Sequence, residues 1–317
     1  MRTSRIEELN GPTPVRLRLG RWLGHQRWIP RGHVSLARLL CSPDAAPDFS
    51  FEVDFYGLRY AGNLRNYIDW AVFFFGAHAK SELEAMALAA QRLRATGRPV
   101  VYIDVGANIG HHLLFMSAHA DQMYGFEPWR PVLERARILL AMNGLDNVQI
   151  FPVALGETDE RQRFYPPLSS NLGSGSFSEF WSGLNDHKAE PLFLDVRNGD
   201  EFLKSANITG VGIVKIDVEG SEASVCRGLR ETIKRDRPFI LMELSGQGAR
   251  DLGSEQNLRR CLYEGAHLLR LGGGRHKTRL EAYHFNDSLA ASDTADSAEI
   301  LIVPPEHRGA IPTILQS

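Results

Sequence analysis

Between residues 99 and 244 the chain alternates short apolar runs with helical stretches, and that alternation limits the fold more than any other feature. Apolar runs at 100–105, 123–126, 148–155, 211–217 and 239–244 predict strands. Helical spacing at 109–120, 131–142 and 221–235 predicts helices among them. Strands alternating with helices mean a doubly wound α/β fold, with a mostly parallel sheet covered on both faces. Right-handed crossovers then bring the carboxyl ends of the strands to one rim. Two later runs, at 267–271 and 299–303, flank a long polar insert and are expected to pair as an antiparallel edge.

Residues 1–97 read as an N-terminal extension and residues 98–317 as the main domain. The extension comprises an arm, a small β-hairpin over 49–60 turning at Gly57, and an aromatic-rich segment at 66–75. A helix follows. Ser81 with Glu84 three residues on reads as a capping box. Gly97 and Pro99 end that helix. The chain has 317 residues, 43% hydrophobic and 23% charged, which excludes wholesale disorder and collagen-like repeats.

The net charge of -2 hides an asymmetry. Residues 1–40 hold eight Arg and two Glu, a balance of +6, so the remainder carries -8. An acidic main domain argues against a nucleic-acid groove. The basic arm could meet a phosphate or a membrane surface, against the plainer expectation of a solvated arm. Cys41, Cys226 and Cys261 are too widely spaced for a metal knuckle or a disulfide framework. The first residues lack a secretory apolar stretch and no run is long enough to span a bilayer, so the chain reads as soluble and cytoplasmic. The arm and hairpin are candidate elements of a homodimer.

The chemistry concentrates in three places. The first is Asp104-Val105-Gly106-Ala107-Asn108-Ile109-Gly110, where a buried strand turns into a helix. Gly106 and Gly110 remove side chains where a ligand would approach the backbone. The spacing is G-x-x-x-G, not the G-x-G-x-x-G of a dinucleotide site. Asp104 would repel a pyrophosphate and attract an ammonium, so the expected cofactor has an amino-acid end. The second is Glu127, 23 residues after Asp104 at the end of the next strand. A carboxylate there can accept both hydroxyls of a ribose, which makes the ligand adenosine-like. Its plainer alternative is to cap the helix that begins near Pro131. The third is Lys215-Ile216-Asp217-Val218-Glu219-Gly220. Period two sets Lys215, Asp217 and Glu219 on one side of a strand. Such charges are costly in a central strand unless they are paired or used.

Asp-Val-Gly-Ala-Asn-Ile-Gly, Gly-Phe-Glu-Pro and Lys-Ile-Asp-Val-Glu-Gly-Ser-Glu, in this order over residues 98–247, resemble the FkbM family of S-adenosylmethionine-dependent methyltransferases. Residues 55–76 resemble a lead-in found in some members. The resemblance implies a class I, Rossmann-like sheet of seven strands in the order 3-2-1-4-5-7-6. It implies that Gly106, Asn108 and Gly110 hold the methionine part of S-adenosylmethionine, that Glu127 holds its ribose, and that Asp217 lies near the transferable methyl. It also implies O-methylation of a hydroxyl on a small molecule or sugar.

The catalytic base is expected at Asp217 or Glu219, which the strand end fixes, with Lys215 orienting a carboxylate or polarising the acceptor. His111 and the His187 loop supply rival bases. His111 and His112 stand where the family commonly has an aromatic residue, and packing is the plainer role for them. Asp217, Glu219 and Glu243 could gather Mg²⁺, but Glu243 is followed by Leu244-Ser245 rather than a second acid, so no metal is expected. A non-catalytic cofactor-binding protein and a nicotinamide oxidoreductase stay open as alternatives.

Overall fold

The alternating runs build a sheet whose parallel strands end side by side. The structure, a computed structural model, describes residues 7–8, 13–26, 33–166, 175–177, 190–274, 277–285, 297–312 and 314–316. In chain order the N-terminal part contributes β1 (Glu7–Glu8), α1 (Val15–His25), α2 (His33–Leu40), β2 (Ser50–Phe55), β3 (Leu58–Asn63), α3 (Tyr67–Phe75) and α4 (Lys80–Ala95). There follow β4 (Val101–Val105), α5 (His111–Met116), β5 (Gln122–Phe126), α6 (Arg130–Ala141), β6 (Val148–Phe151), β7 (Ala154–Gly156), β8 (Glu160–Phe164), β9 (Leu192–Asn198), β10 (Val211–Ile216) and β11 (Phe239–Ser245). The chain closes with β12 (His267–Gly274), β13 (Lys277–Ala282), β14 (Ser297–Val303) and β15 (Ile314–Gln316).

The large sheet runs β15-β13-β12-β14-β11-β10-β4-β5-β6. Pairing is parallel from β6 through β11. From β11 to β15 it is antiparallel. Among the described residues the sheet thus holds nine strands, two more than the expected seven. Residues 272–274 and 277–279 of the polar insert belong to β12 and β13, and β15 adds a further strand. β12 and β14 do pair antiparallel but do not form the edge, because β13 and β15 lie outside them.

Two expected elements divide. The run at 148–155 breaks at Pro152, which ends β6 in the large sheet; β7 resumes in a separate small sheet with β9 and β8. The helix expected over 221–235 becomes Glu222–Gly228 and Arg230–Asp236, with Leu229 between them. Gly228 lies so close to Gly156 that a side chain there would fall 1.8 Å from the Gly156 carbonyl oxygen, which fixes the break against the small sheet.

β2 and β3 form a hairpin whose central residues, Tyr56 and Gly57, both have positive φ, the requirement of a tight two-residue turn. In α3 the Asn66 side chain caps the Asp69 N–H at 3.2 Å, and Gly76 at φ 83 ends the helix. The buried Asp69 accepts from the Tyr60 hydroxyl at 2.7 Å and pairs with Arg135 of α6, which pins the extension to the main sheet. Trp70, Phe73 and Phe74 join a hydrophobic cluster that continues into α4, β4 and α5. The capping box is corrected: Ser81 lies inside the first turn of α4, and Ala79 at φ 48 precedes the helix without a side-chain cap. α1 is a helix that the weak periodicity of residues 1–48 did not reveal.

Candidate active site

The carboxyl rim encloses a cavity of about 370 Å³. Gly106 and Asn108 reach it from the turn after β4, Glu127 from the end of β5, Asp217 and Glu219 from beyond β10. Glu243 of β11 and Glu299 of β14 face it, as do His78 and Glu82 from the start of α4. Trp129, Phe164 and Phe177 form an aromatic wall, with ring centroids 6.1 Å and 5.2 Å apart along that series. Six carboxylates thus line the cavity, and among the described residues no Lys or Arg does.

The glycine turn is packed against its own chain. At Gly106, φ is 84, and an added Cβ would fall 1.9 Å from the Asp217 carbonyl oxygen. The N–H groups of Gly106 and Ala107 both donate to the Phe126 carbonyl at 3.0 Å. Gly106 is therefore required by the close approach of two strand ends, and the turn backbone is tied to β5. Gly110, at φ 78, lies off the cavity; its missing side chain leaves room for Ala136 of α6 at 3.1 Å. Glu127 accepts the Asn108 N–H at 3.0 Å and the Trp129 N–H at 2.8 Å. It therefore joins the glycine turn to the entry of α6 while still facing the cavity. Burial pushes Glu127 up to about 7, against the pull of those two backbone donors.

Lys215 is the one charge within the otherwise apolar β10, and it is 2% exposed. Its Nζ lies 2.8 Å from Asp217 Oδ2 and 3.9 Å from Asp104 Oδ1. Asp104 stands beside Lys215 in the parallel register of β4 and β10. Asp104, expected to attract an ammonium, lies behind the cavity wall, buried with Lys215, and does not border the cavity. Burial pushes Asp104 up to about 7, with Lys215 opposing. For Lys215 burial works downward, but Asp217 and Asp104 outweigh it and raise it above its ordinary value. For Asp217 burial works upward, and Lys215 outweighs it, so Asp217 stays below the ordinary carboxylate range.

The expected two-residue alternation holds from Lys215 to Asp217 and fails at Glu219. β10 ends at Ile216, Asp217 remains tied to β4 through the Val105 carbonyl at 3.1 Å, and Glu219 turns into the left-handed region at φ 49. Glu219 still faces the cavity, and its carbonyl accepts from Ser176 Oγ at 2.6 Å. Burial first, then Asp217 and Glu243, push the Glu219 carboxyl well above its ordinary range.

His111 does not reach the cavity. Its ring packs 5.0 Å from that of Phe55 and 5.1 Å from that of His112, and burial holds it neutral, well below the ordinary histidine value. His112 Nε2 lies 3.1 Å from Glu82 Oε2. His187 lies outside the described residues.

Sequence reasoning missed His78, Glu82, Glu299 and the aromatic wall. Burial pushes Glu82 up to about 7 against the pull of Lys215. Asp217, then burial, push Glu243 up to about 8, and Glu243 accepts from Ser297 Oγ at 2.8 Å. Burial pushes Glu299 to about 7. Glu243 and Glu299 are direct partners across β11 and β14, an arrangement of like charges that a sheet disfavours. Burial holds His78 down at about 4, so it is neutral. A lone acid inside an apolar strand, as in Ala298-Glu299-Ile300-Leu301, was the available signal. Among the described residues no group of three or more metal-ligating side chains is arranged to hold a metal ion.

A parallel rim with a glycine turn and an acid at the next strand end defines a methyltransferase-like α/β protein. The methyltransferase FkbM domain matches residues 104–267, and the chain belongs to this family. The 2-O-methyltransferase NoeI of Sinorhizobium fredii is 28% identical over 46% of this chain and 64% of its own length. The hexuronic acid methyltransferase AglP of Haloferax volcanii is 28% identical over 44% of this chain and 54% of its own length. The chain therefore spans 54–64% of these curated relatives. Among solved structures, the methyltransferase FkbM of Methylobacillus flagellatus is 17% identical with a TM-score of 0.42, covering 64% of this chain and 43% of that one.

Proposed function

We propose that this protein is an S-adenosylmethionine-dependent methyltransferase that methylates a hydroxyl group on a small molecule or sugar. The observation that carries this reading is an acid-lined cavity bounded by the glycine turn, Glu127 and an aromatic wall. Its volume of about 370 Å³ suits a small-molecule site. The donor set fits a positively charged nucleoside. Glu127 uses one lone pair of each oxygen on backbone N–H groups and keeps the others for a ribose diol. Trp129 and Phe164 offer apolar faces to a base, and the remaining carboxylates favour a cation. In the strand numbering of the class, β6-β5-β4-β10-β11-β14-β12 reads 3-2-1-4-5-7-6, and β13 and β15 are additions. Residues 98–317 are the methyltransferase domain in this reading, and the extension closes the cavity through His78 and Glu82.

When bound, S-adenosylmethionine supplies an electrophilic methyl group. The chain's part is to align a hydroxyl oxygen with it, exclude water and receive the hydroxyl proton. Asp217 and Glu219 divide this work by environment. Asp217, kept ionised by Lys215, is the electrostatic partner of positive charge. Glu219, whose carboxyl burial and the neighbouring carboxylates raise, is a stronger proton acceptor than an ordinary carboxylate. Lys215 positions Asp217 and does not touch the acceptor. Asp104 and Gly110 support the site from behind, and His111 supports it by packing.

NoeI is named as an O-methyltransferase and AglP as acting on a hexuronic acid, which supports a hydroxylated, sugar-like acceptor here. The wall of Glu82, Glu243 and Glu299 favours an uncharged acceptor whose hydroxyls donate to carboxylates, and disfavours a uronate. Methyl transfer from labelled cofactor to a panel of neutral sugars, uronates and natural-product hydroxyls tests this. Transfer to neutral hydroxyls, lost in Glu219→Gln with cofactor binding retained, is the expected result. Cofactor binding without transfer to any acceptor would make the protein a non-catalytic binder.

A further inference from the structure

Helix α1 packs with the reverse of the usual amphipathic arrangement. Its inner face carries Leu17, Gly20, Arg21 and Gly24. A Cβ on Gly20 would stand 2.8 Å from the Phe74 ring, and one on Gly24 would stand 2.0 Å from the Phe74 carbonyl oxygen. Arg21 is buried and donates to the Phe73 carbonyl. The helix therefore sits tightly on α3 through small residues. Three of its bulky apolar residues point outward, whereas Leu17 is buried: Val15 is 79% exposed, and Leu19 and Trp22 follow at helical spacing with about half their surface open. On the neighbouring α2, Val34 and Leu39 are exposed as well, Leu39 to 82%. A water-soluble helix ordinarily does the opposite.

The sequence of this stretch carries one sign of charge: no Asp or Glu occurs between residues 9 and 43, while Arg occurs at 16, 18 and 38 on the outer surface of the two helices. Arg16, Arg18 and Arg38 are exposed beside the apolar side chains. Apolar residues that enter an acyl boundary, with arginines that stay at headgroup level, are the two signals that hold a helix in a membrane interface. We propose that the α1–α2 face docks on an anionic lipid bilayer. A nucleic acid would use the arginines and leave Val15, Leu19 and Leu39 in water. Two-fold docking of a second copy would set Arg16 and Arg18 of one against the same arginines of the other. This inference rests on surface residues remote from the cavity and does not depend on the methyltransferase reading.

Sedimentation of the full chain with vesicles tests it, using phosphatidylcholine alone and phosphatidylcholine mixed equally with phosphatidylglycerol. The protein is expected to sediment with the mixed vesicles, to be released by salt, and to stay in solution with phosphatidylcholine alone. The double variant Leu19→Asp/Trp22→Asp should bind at least about tenfold more weakly. The exchange Arg16→Gln/Arg18→Gln, which leaves the apolar residues in place, should weaken binding and its salt dependence together. Unchanged thermal melting of both variants shows that the fold is kept. No sedimentation of the unaltered protein, equal sedimentation of the variants, or a vesicle-free dimer that Leu19→Asp/Trp22→Asp dissolves would each overturn the proposal.

Discussion

The two ends of the cavity are built by different physics. At the Glu127 end the chain holds itself: backbone N–H groups of Asn108 and Trp129 occupy the carboxylate, and Gly106 lets the β4 turn touch the Asp217 carbonyl. At the other end Glu82, Glu243 and Glu299 crowd together, and among the described residues their buried counter-charge is Lys215, which lies behind the wall with Asp104. The first end is pre-organised by hydrogen bonds that exist without a ligand. The second is held under electrostatic load, with carboxyls raised by burial and by one another, and a cation would relieve it.

Breaking the charge that stands between the two ends has the largest expected effect. Lys215→Met leaves the buried Asp104 and the partly buried Asp217 without their partner and should cost about 3–5 kcal/mol in urea unfolding. A loss below about 1 kcal/mol would show that the wall carries its charge without Lys215. Gly106→Ala combines a positive φ with a contact against backbone that cannot move aside. It should cost roughly 1–3 kcal/mol and also weaken cofactor binding. A variant of native stability and affinity would mean that the turn is looser than its contacts say.

The next two changes separate the ends. Glu127→Gln keeps one acceptor for the backbone and turns its amide nitrogen toward the second N–H, so it should cost about 1–3 kcal/mol while the fold is kept. It should lower cofactor affinity at least about tenfold, equivalent to about 1.4 kcal/mol. Replacing Glu82, Glu243 and Glu299 by Gln acts on pH dependence instead. Their folded values, about 7, 8 and 7, lie above the ordinary 4.5, so the folded state binds more protons than the unfolded chain. Stability is then fully present below about pH 4.5 as far as these groups are concerned, and it is lost as pH rises through about 7–8. Melting of the ligand-free protein should fall by a few degrees across that window, and the triple variant should flatten the curve. Equal slopes for both proteins would contradict the load assigned to this wall.

The same contrast governs what could be read from the sequence. Gly106, Asn108, Glu127 and most of the β–α alternation are local patterns and lie where their spacing places them, whereas Gly110 lies off the cavity and the 148–155 and 221–235 elements divide. The acid wall is not local: Glu82, Glu243 and Glu299 come from elements far apart in the chain and meet only through the sheet order. Period two located Lys215 and Asp217 but failed at Glu219, because β10 stops at Ile216 and the chain turns left-handed. Asp104 looked like a ligand residue because it precedes the turn; the register of β4 against β10 directs it to Lys215 instead. Ser81 imitated a capping residue because nothing in the sequence marks Ala79 as the residue that takes positive φ.

Calorimetric titration of S-adenosylmethionine and of its product S-adenosylhomocysteine, which lacks the sulfonium charge, at several pH values tests the central claim that this rim is an acid-lined site for a cationic nucleoside. The account predicts one-to-one binding of both, with the preference for the cation growing as pH rises through about 7–8 and the wall ionises. Absence of binding to the unaltered protein, or a preference that stays flat with pH, would contradict it.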